Sequence, residues 1–246
     1  MGAVSYLNTK PLLYGIERSG IMKDIELITD FPSRIAQMLL NDEIDMGLVP
    51  VSVIPFMKEY YIITDYCIGS NGAVASVCLF SESPLEKIEY VLLDDQSRTS
   101  VQLVRLLFKE YWKKEVGFID GGSDFREKIT GKTAGLVIGD RALEQRKISA
   151  FHYDLGEAWK LYTGLPFVFA AWISNKKLEP GFIRDFNEAN RSGIGHIDLL
   201  LKDISYRFFD LKTYYKNYIS FDLDEQKREG LKLFLKKITH SSADVF

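Results

Sequence analysis

The chain has 246 residues, 46% of them hydrophobic and 26% charged, with a formal net charge of −3. That length can bury a core as one large domain or as two of about 100–150 residues each. The mild acidity gives no electrostatic case for nucleic acid or an anionic membrane surface as partner. Cys67 and Cys78 stand apart, with no CxxC pair and no adjacent histidine. They point neither to a zinc site nor to a disulfide framework, but to two reduced thiols.

Ala3-Val4-Ser5-Tyr6 reads as a first strand, and Pro11 suits the opening turn of a helix running to Arg18 and closed by Gly20. Glu26–Thr29 is the next strand, and Asp30 or Ser33 is placed to cap a helix with Ile35, Met38 and Leu39 on one face. Asp45–Val49 is a third strand, so this run predicts a parallel sheet covered by helices. Tyr61–Ile63 and Ala75–Leu79 read as further strands joined by the polar stretch Gly69-Ser70-Asn71-Gly72, and Ser81-Glu82-Ser83-Pro84 reads as a linker. The alternation then restarts with strand 90–93, helix 98–112 and strands 116–118 and 134–138. A long apolar strand at 165–172 reads as a second crossing, and from Pro180 the pattern is helical to the end. The expected lobes are therefore 1–82 with 168–246, and 83–167, with a cleft between them. No apolar run approaches the ~20 residues of a membrane span. The first residues read as strand rather than as a secretory leader, so a cytoplasmic protein is expected.

In open α/β sheets, ligands sit at the carboxyl ends of strands. This chain is polar at several of them: Ser5 and Asn8, Ser70–Gly72 with Ser76, Ser97–Ser100, and Gly139-Asp140. Ser97-Arg98-Thr99-Ser100 joins a strand to a helix whose N-terminal N–H groups could receive a carboxylate or phosphate, although serine and threonine also cap helices with no ligand present. Of the three histidines, His196 and His240 fall in helical stretches, and only His152 falls where a loop could reach a cleft. No glycine-rich phosphate loop, GxSxG elbow or metal-ligand spacing occurs. Asp94-Asp95 reads as turn chemistry rather than as a catalytic pair. The inventory describes an anion-binding cleft without a strong base. That suits either a binding protein or an enzyme working by orientation and electrostatics.

Six stretches carry a resemblance to a known family: Gly2–Leu12, Ile44–Val51, Cys67–Val77, Ser97–Val101, Leu136–Leu143, and Asp154–Trp159 continuing through Thr163–Ala170. In this order, over roughly residues 2–172, the chain resembles the chorismate dehydratases of the futalosine route to menaquinone. Their fold is that of type II periplasmic binding proteins. The resemblance implies a two-lobed α/β fold, each lobe a largely parallel sheet flanked by helices, with a helical C-terminal region. It also implies a hydro-lyase acting on chorismate without cofactor or metal. Asn8 would contact the reacting edge of the substrate, Ser76 would hydrogen-bond it, and Thr99 and Ser100 would hold a carboxylate. Ser5, Arg98 and Asp140 are further substrate-binding candidates, Arg98 being equally suited to clamping the hinge and Asp140 to capping its helix. The chain starts a residue or two later than the family's usual first strand. Two other readings share this fold: a solute-binding protein for a small carboxylate, and the 1,4-dihydroxy-6-naphthoate synthase of the same route. That synthase opens with a Pro-Asn-Asp type motif and carries a cleft histidine, whereas this chain reads Ser5-Tyr6-Leu7-Asn8.

Overall fold

The computed structural model describes residues 1–122 and 125–242, the side chains of 240–242 excepted. The opening alternation is realised as β1 (Gly2–Val4), α1 (Lys10–Glu17), β2 (Ile28–Asp30), α2 (Pro32–Leu40) and β3 (Met46–Pro50). Pro11 and Pro32 occupy first turns, where the missing N–H removes no helical bond. α2 buries Ile35, Ala36 and Leu39, the one-sided spacing of an amphipathic helix. Next come β4 (Tyr61–Ser70), β5 (Val77–Ser81), β6 (Tyr90–Leu93), α3 (Thr99–Leu106), β7 (Gly117–Asp120) and β8 (Thr133–Ile138). α4 (Asp140–Gln145), β9 (Phe151–Asp154), α5 (Leu155–Thr163) and β10 (Phe167–Ser174) complete the middle of the chain. The remainder holds α6 (Pro180–Gly195), α7 (Ile197–Asp203), α8 (Leu211–Thr213), a π-turn at Tyr214–Tyr218, β11 (Ser220–Asp222) and α9 (Glu225–Ser242).

Two sheets result, ordered β11-β4-β10-β3-β1-β2 and β7-β6-β8-β5-β9, one per lobe. Each is mixed rather than largely parallel. β1 runs parallel to β2 and β3, and β6 to β7 and β8. β10 lies antiparallel to β3 and β4, β11 to β4, and β5 to β8 and β9. The crossing strands cause this, because they run against the direction of the strand–helix–strand units. The first change of sheet falls at residues 71–76 and not at 82/83. Ser81–Pro84 has linker composition but forms a turn inside the second lobe, where Ser81 Oγ accepts from the Ser83 N–H (3.0 Å) and Ser83 Oγ donates to the Gly131 carbonyl (2.6 Å). The tail is helical apart from β11, which closes the edge of the first sheet. α9 returns Phe234 onto Trp159 and Phe167 of the second crossing, with edge-on ring centroids 6.0 and 4.9 Å away. Among the described residues, no helix is long and apolar enough to cross a membrane.

Candidate functional site

Both lobes aim the carboxyl ends of parallel strands at the gap between the sheets: β1 and β3 from one side, β6 and β8 from the other. The cavity there is walled by Val4, Leu48, Ile68, Val77 and Phe169, and its polar lining is Tyr6, Asn8, Thr9, Ser97, Thr99 and Ser100. No Asp, Glu, Lys, Arg or His lines it among the described residues.

Asn8 sits on a single 3-10 turn, Leu7–Thr9, between β1 and α1. That turn is pinned from several directions. The Tyr6 hydroxyl donates to Gln96 Oε1 of the other lobe at 2.5 Å. The Leu7 N–H donates to Asp140 Oδ1 at 3.0 Å, and the Leu7 carbonyl accepts from the Tyr215 hydroxyl at 3.0 Å. Gly139, at φ 65°, faces the Tyr6 ring so closely that a Cβ there would stand 2.8 Å from it. Only glycine meets both conditions. The missing side chain of Gly139, just after β8, is therefore what lets the second lobe approach the Tyr6 ring of the first.

The Ser97–Ser100 turn behaves partly as a cap, since Ser97 Oγ accepts the Ser100 N–H at 3.2 Å. Thr99 Oγ1 bridges to the first lobe, accepting from the Ser52 N–H (3.2 Å) and donating to Ser52 Oγ (3.3 Å). Arg98 does not line the cavity. Its guanidinium donates to Gln37 Oε1 at 2.9 Å and borders a neighbouring hollow of about 300 Å³ between Phe56, Gln102 and Thr239. That hydrogen bond joins the two lobes.

Ser76 is fully buried behind Val77, and its Oγ accepts from the Tyr214 hydroxyl at 2.7 Å. The preceding Ala75 has φ 63°, a left-handed conformation costly for a residue with a Cβ. The Asp154 carboxylate holds it there, accepting from the N–H groups of Val74 (3.0 and 3.1 Å) and Ala75 (2.8 Å) while capping α5 through Gly156 (3.0 Å) and Glu157 (3.2 Å).

The cavity thus brings together Asn8, Thr99 and Ser100, and Ser76 is buried behind Val77, outside the lining. Ser5 is exposed and Asp140 lies at the seam, outside the lining. Burial raises the Asp140 carboxyl to about 6. His152 is on the edge strand β9 rather than in a loop, beside Arg146, and takes no part in the lining; His196 ends α6 at the surface, and the side chain of His240 lies outside the described residues. Asp94 is turn and ion-pair chemistry, accepting from Gln96 N–H (3.1 Å) and both ways from Arg141 (2.8 Å). Both thiols are buried, which pushes Cys67 up to about 12 and leaves it unreactive. Among the described residues no group of three or more His, Cys, Asp or Glu could hold a metal ion. Tyr6 and Tyr214 are the contributors that sequence patterns do not single out.

Residues 1–240 match the profile of the menaquinone biosynthesis family. The chain belongs to that family. A chorismate dehydratase of Thermus thermophilus is 26% identical over 276 residues, covering 100% of this chain and 97% of the relative. A chorismate dehydratase of Campylobacter jejuni is 26% identical over 250 residues, covering 96% and 95%. Solved structures share the fold at low identity. A protein of Archaeoglobus fulgidus aligns with TM-score 0.74 at 14% identity over 98% of this chain and 97% of that one. A Candida albicans protein described as having the generic periplasmic binding protein fold aligns with TM-score 0.62 at 14% identity over 97% and 89%. This menaquinone-family chain therefore carries a periplasmic-binding-protein-like fold with its strand ends turned to a closed cleft.

Proposed function

We propose that the chain is a chorismate dehydratase, a cytoplasmic hydro-lyase that converts chorismate to 3-[(1-carboxyvinyl)oxy]benzoate and water. One observation carries the reading: the cavity offers hydroxyls, an amide and the start of α3, and no ionisable acid or base other than the Tyr6 phenol, which burial moves far from neutrality. Chorismate suits such a site. Loss of the C3 proton and the C4 hydroxyl makes the ring aromatic, so the protein has mainly to select one elimination and hold its geometry. The C3–H bond is vinylogous to the ring carboxylate, so neutral donors at that carboxylate favour the charge that develops there. Thr99, Ser100 and the N–H groups of α3 fit the carboxylate. Asn8 fits the leaving hydroxyl, and Ser76 supports it from the crossing.

An amide is a poor base, and the substrate brings its own. The enolpyruvyl carboxylate is the proton acceptor in this reading. A substrate esterified at that side chain is expected to bind without turnover, and normal turnover of the ester would remove the idea. The principal test is to incubate the purified protein with chorismate and follow the growth of an aromatic spectrum with loss of water. Asn8→Ala and Ser76→Ala should each lower kcat/KM by more than about tenfold, or about 1.4 kcal/mol of transition-state stabilisation. Tight binding of chorismate with no turnover would favour a carboxylate-binding protein instead.

A further inference from the structure

The hollow beside the cleft, of about 300 Å³, is built from three parts of the chain: the 3-10 turn Val51–Phe56 that follows β3, the start of α3, and the end of α9. Its polar lining is rich in unspent donors. The Arg98 guanidinium is half-buried, and its hydrogen-bond partner is the neutral Gln37 Oε1 at 2.9 Å. Among the described residues Arg98 enters no ion pair, and no Asp or Glu lines the hollow. Ser52 is 4% exposed; its Oγ accepts from Thr99 Oγ1 at 3.3 Å, so its own proton is unspent. Ser97 is 9% exposed; its Oγ accepts the Ser100 N–H at 3.2 Å and likewise keeps its proton. The rest of the wall is largely apolar, with Pro55, Phe56 and Val101. Phe56 is 72% exposed although Val53 and Ile54 of the same turn are buried, so the turn presents a phenyl ring to solvent.

We propose that this hollow is a second binding site, outside the cleft, for a small aromatic carboxylate. The carboxylate sits on the Arg98 guanidinium with the Ser52 and Ser97 hydroxyls, and the ring packs against Pro55 and Phe56. A guanidinium carries its N–H donors in a planar fork that matches a carboxylate, and one bond to Gln37 leaves most of them for a ligand. A half-buried cation without a counter-charge has lost part of its hydration and gains most from an arriving anion. A cationic ligand, by contrast, finds no carboxylate here to pair with. Sites for small ligands run from about 300 to 1,000 Å³, and the lower end of that range suits one ring and its carboxylate. The turn after β3 belongs to the first lobe and α3 to the second, so a ligand here touches both and stabilises their closed arrangement. None of this depends on what the cleft does: a protein that leaves chorismate unchanged would still hold the ligand.

Benzoate is the probe, followed by saturation-transfer NMR and by the rise in unfolding temperature. A Kd of about 1 mM is expected for a ligand of this size. Benzamide keeps the ring without the charge and acetate the charge without the ring, and each should bind at least about tenfold more weakly. Arg98→Gln should weaken benzoate at least about tenfold, and Phe56→Ala about threefold. Arg98→Gln also removes the interlobe bond to Gln37, and Gln37→Ala separates the two effects. It breaks the same bond but leaves the guanidinium, so benzoate should bind within about twofold of its affinity for the unaltered protein. Equal losses in Arg98→Gln and Gln37→Ala would show Arg98 to be a clamp only and would overturn the proposal. Benzoate binding that survives Arg98→Gln puts the probe elsewhere, the cleft included, and overturns it as well. So does the absence of binding at about ten times the expected Kd.

Discussion

Asp154→Ala is expected to lower the free energy of unfolding by about 3–5 kcal/mol, among the largest losses any single substitution should produce in this chain. The carboxylate is 6% exposed and accepts from four backbone N–H groups, of Val74, Ala75, Gly156 and Glu157. The Arg146 guanidinium adds an ion-pair contact at 4.0 Å. Alanine leaves those donors buried without a partner and uncaps α5, and each unsatisfied buried donor costs about 1–3 kcal/mol. It also frees Ala75 from φ 63°, so Ser76 would drift from Tyr214. Urea unfolding at pH 7.5 measures the loss, and a midpoint shift equivalent to less than about 1 kcal/mol would show that the carboxylate does not hold the crossing. Activity should fall with stability in this variant.

The cost of Asp154→Ala marks a part of the molecule that sequence patterns hide. The strand ends were legible because they are local: hydrophobic runs stop at polar residues, as at Tyr90–Leu93 before Ser97–Ser100, and Val137-Ile138 before Gly139. The crossing was not. Ser81–Pro84 carries the composition of a linker, and nothing in the run Ser70–Ser76 announces that a carboxylate from residue 154 will brace it. β9 buries Asp154 and exposes Phe151, the reverse of what its alternation of aromatic and polar residues predicts, and β11 is three residues long. Tyr214 was invisible for a further reason. A buried tyrosine in a helical tail reads as packing, and its hydrogen bond to Ser76 spans 138 residues. The resemblance placed Arg98 and Asp140 among substrate ligands, with a hinge clamp and a helix cap as their alternatives; in the structure Arg98 donates to Gln37 and Asp140 accepts from the Leu7 N–H, both across the lobes.

Asp140→Asn is expected to stabilise the protein at neutral pH, with a gain that vanishes in acid. Burial raises the carboxyl from its ordinary 3.8 to about 6, against the opposing pull of the Leu7 N–H and Lys10. Between those two values the folded protein holds a proton that the unfolded chain has released. Stability from this group is therefore present below about pH 4, drains away as the pH rises to about 6, and is absent above it. A displacement of that size corresponds to at most about 3 kcal/mol. Asparagine presents the same Oδ1 acceptor to the Leu7 N–H without charge, so at pH 7.5 the variant should unfold at higher temperature than the unaltered protein. At pH 4 the two should melt together. A variant less stable than its parent at pH 7.5 would mean that the ionised carboxylate strengthens the seam rather than straining it. The penalty comes from burying the carboxylate at the seam between the Asn8 turn and the second lobe, so it falls on the closed arrangement and not on either lobe alone. A seam weakened by an ionised carboxylate at neutral pH parts more readily, and stability traded at that position is the cost expected where function needs motion.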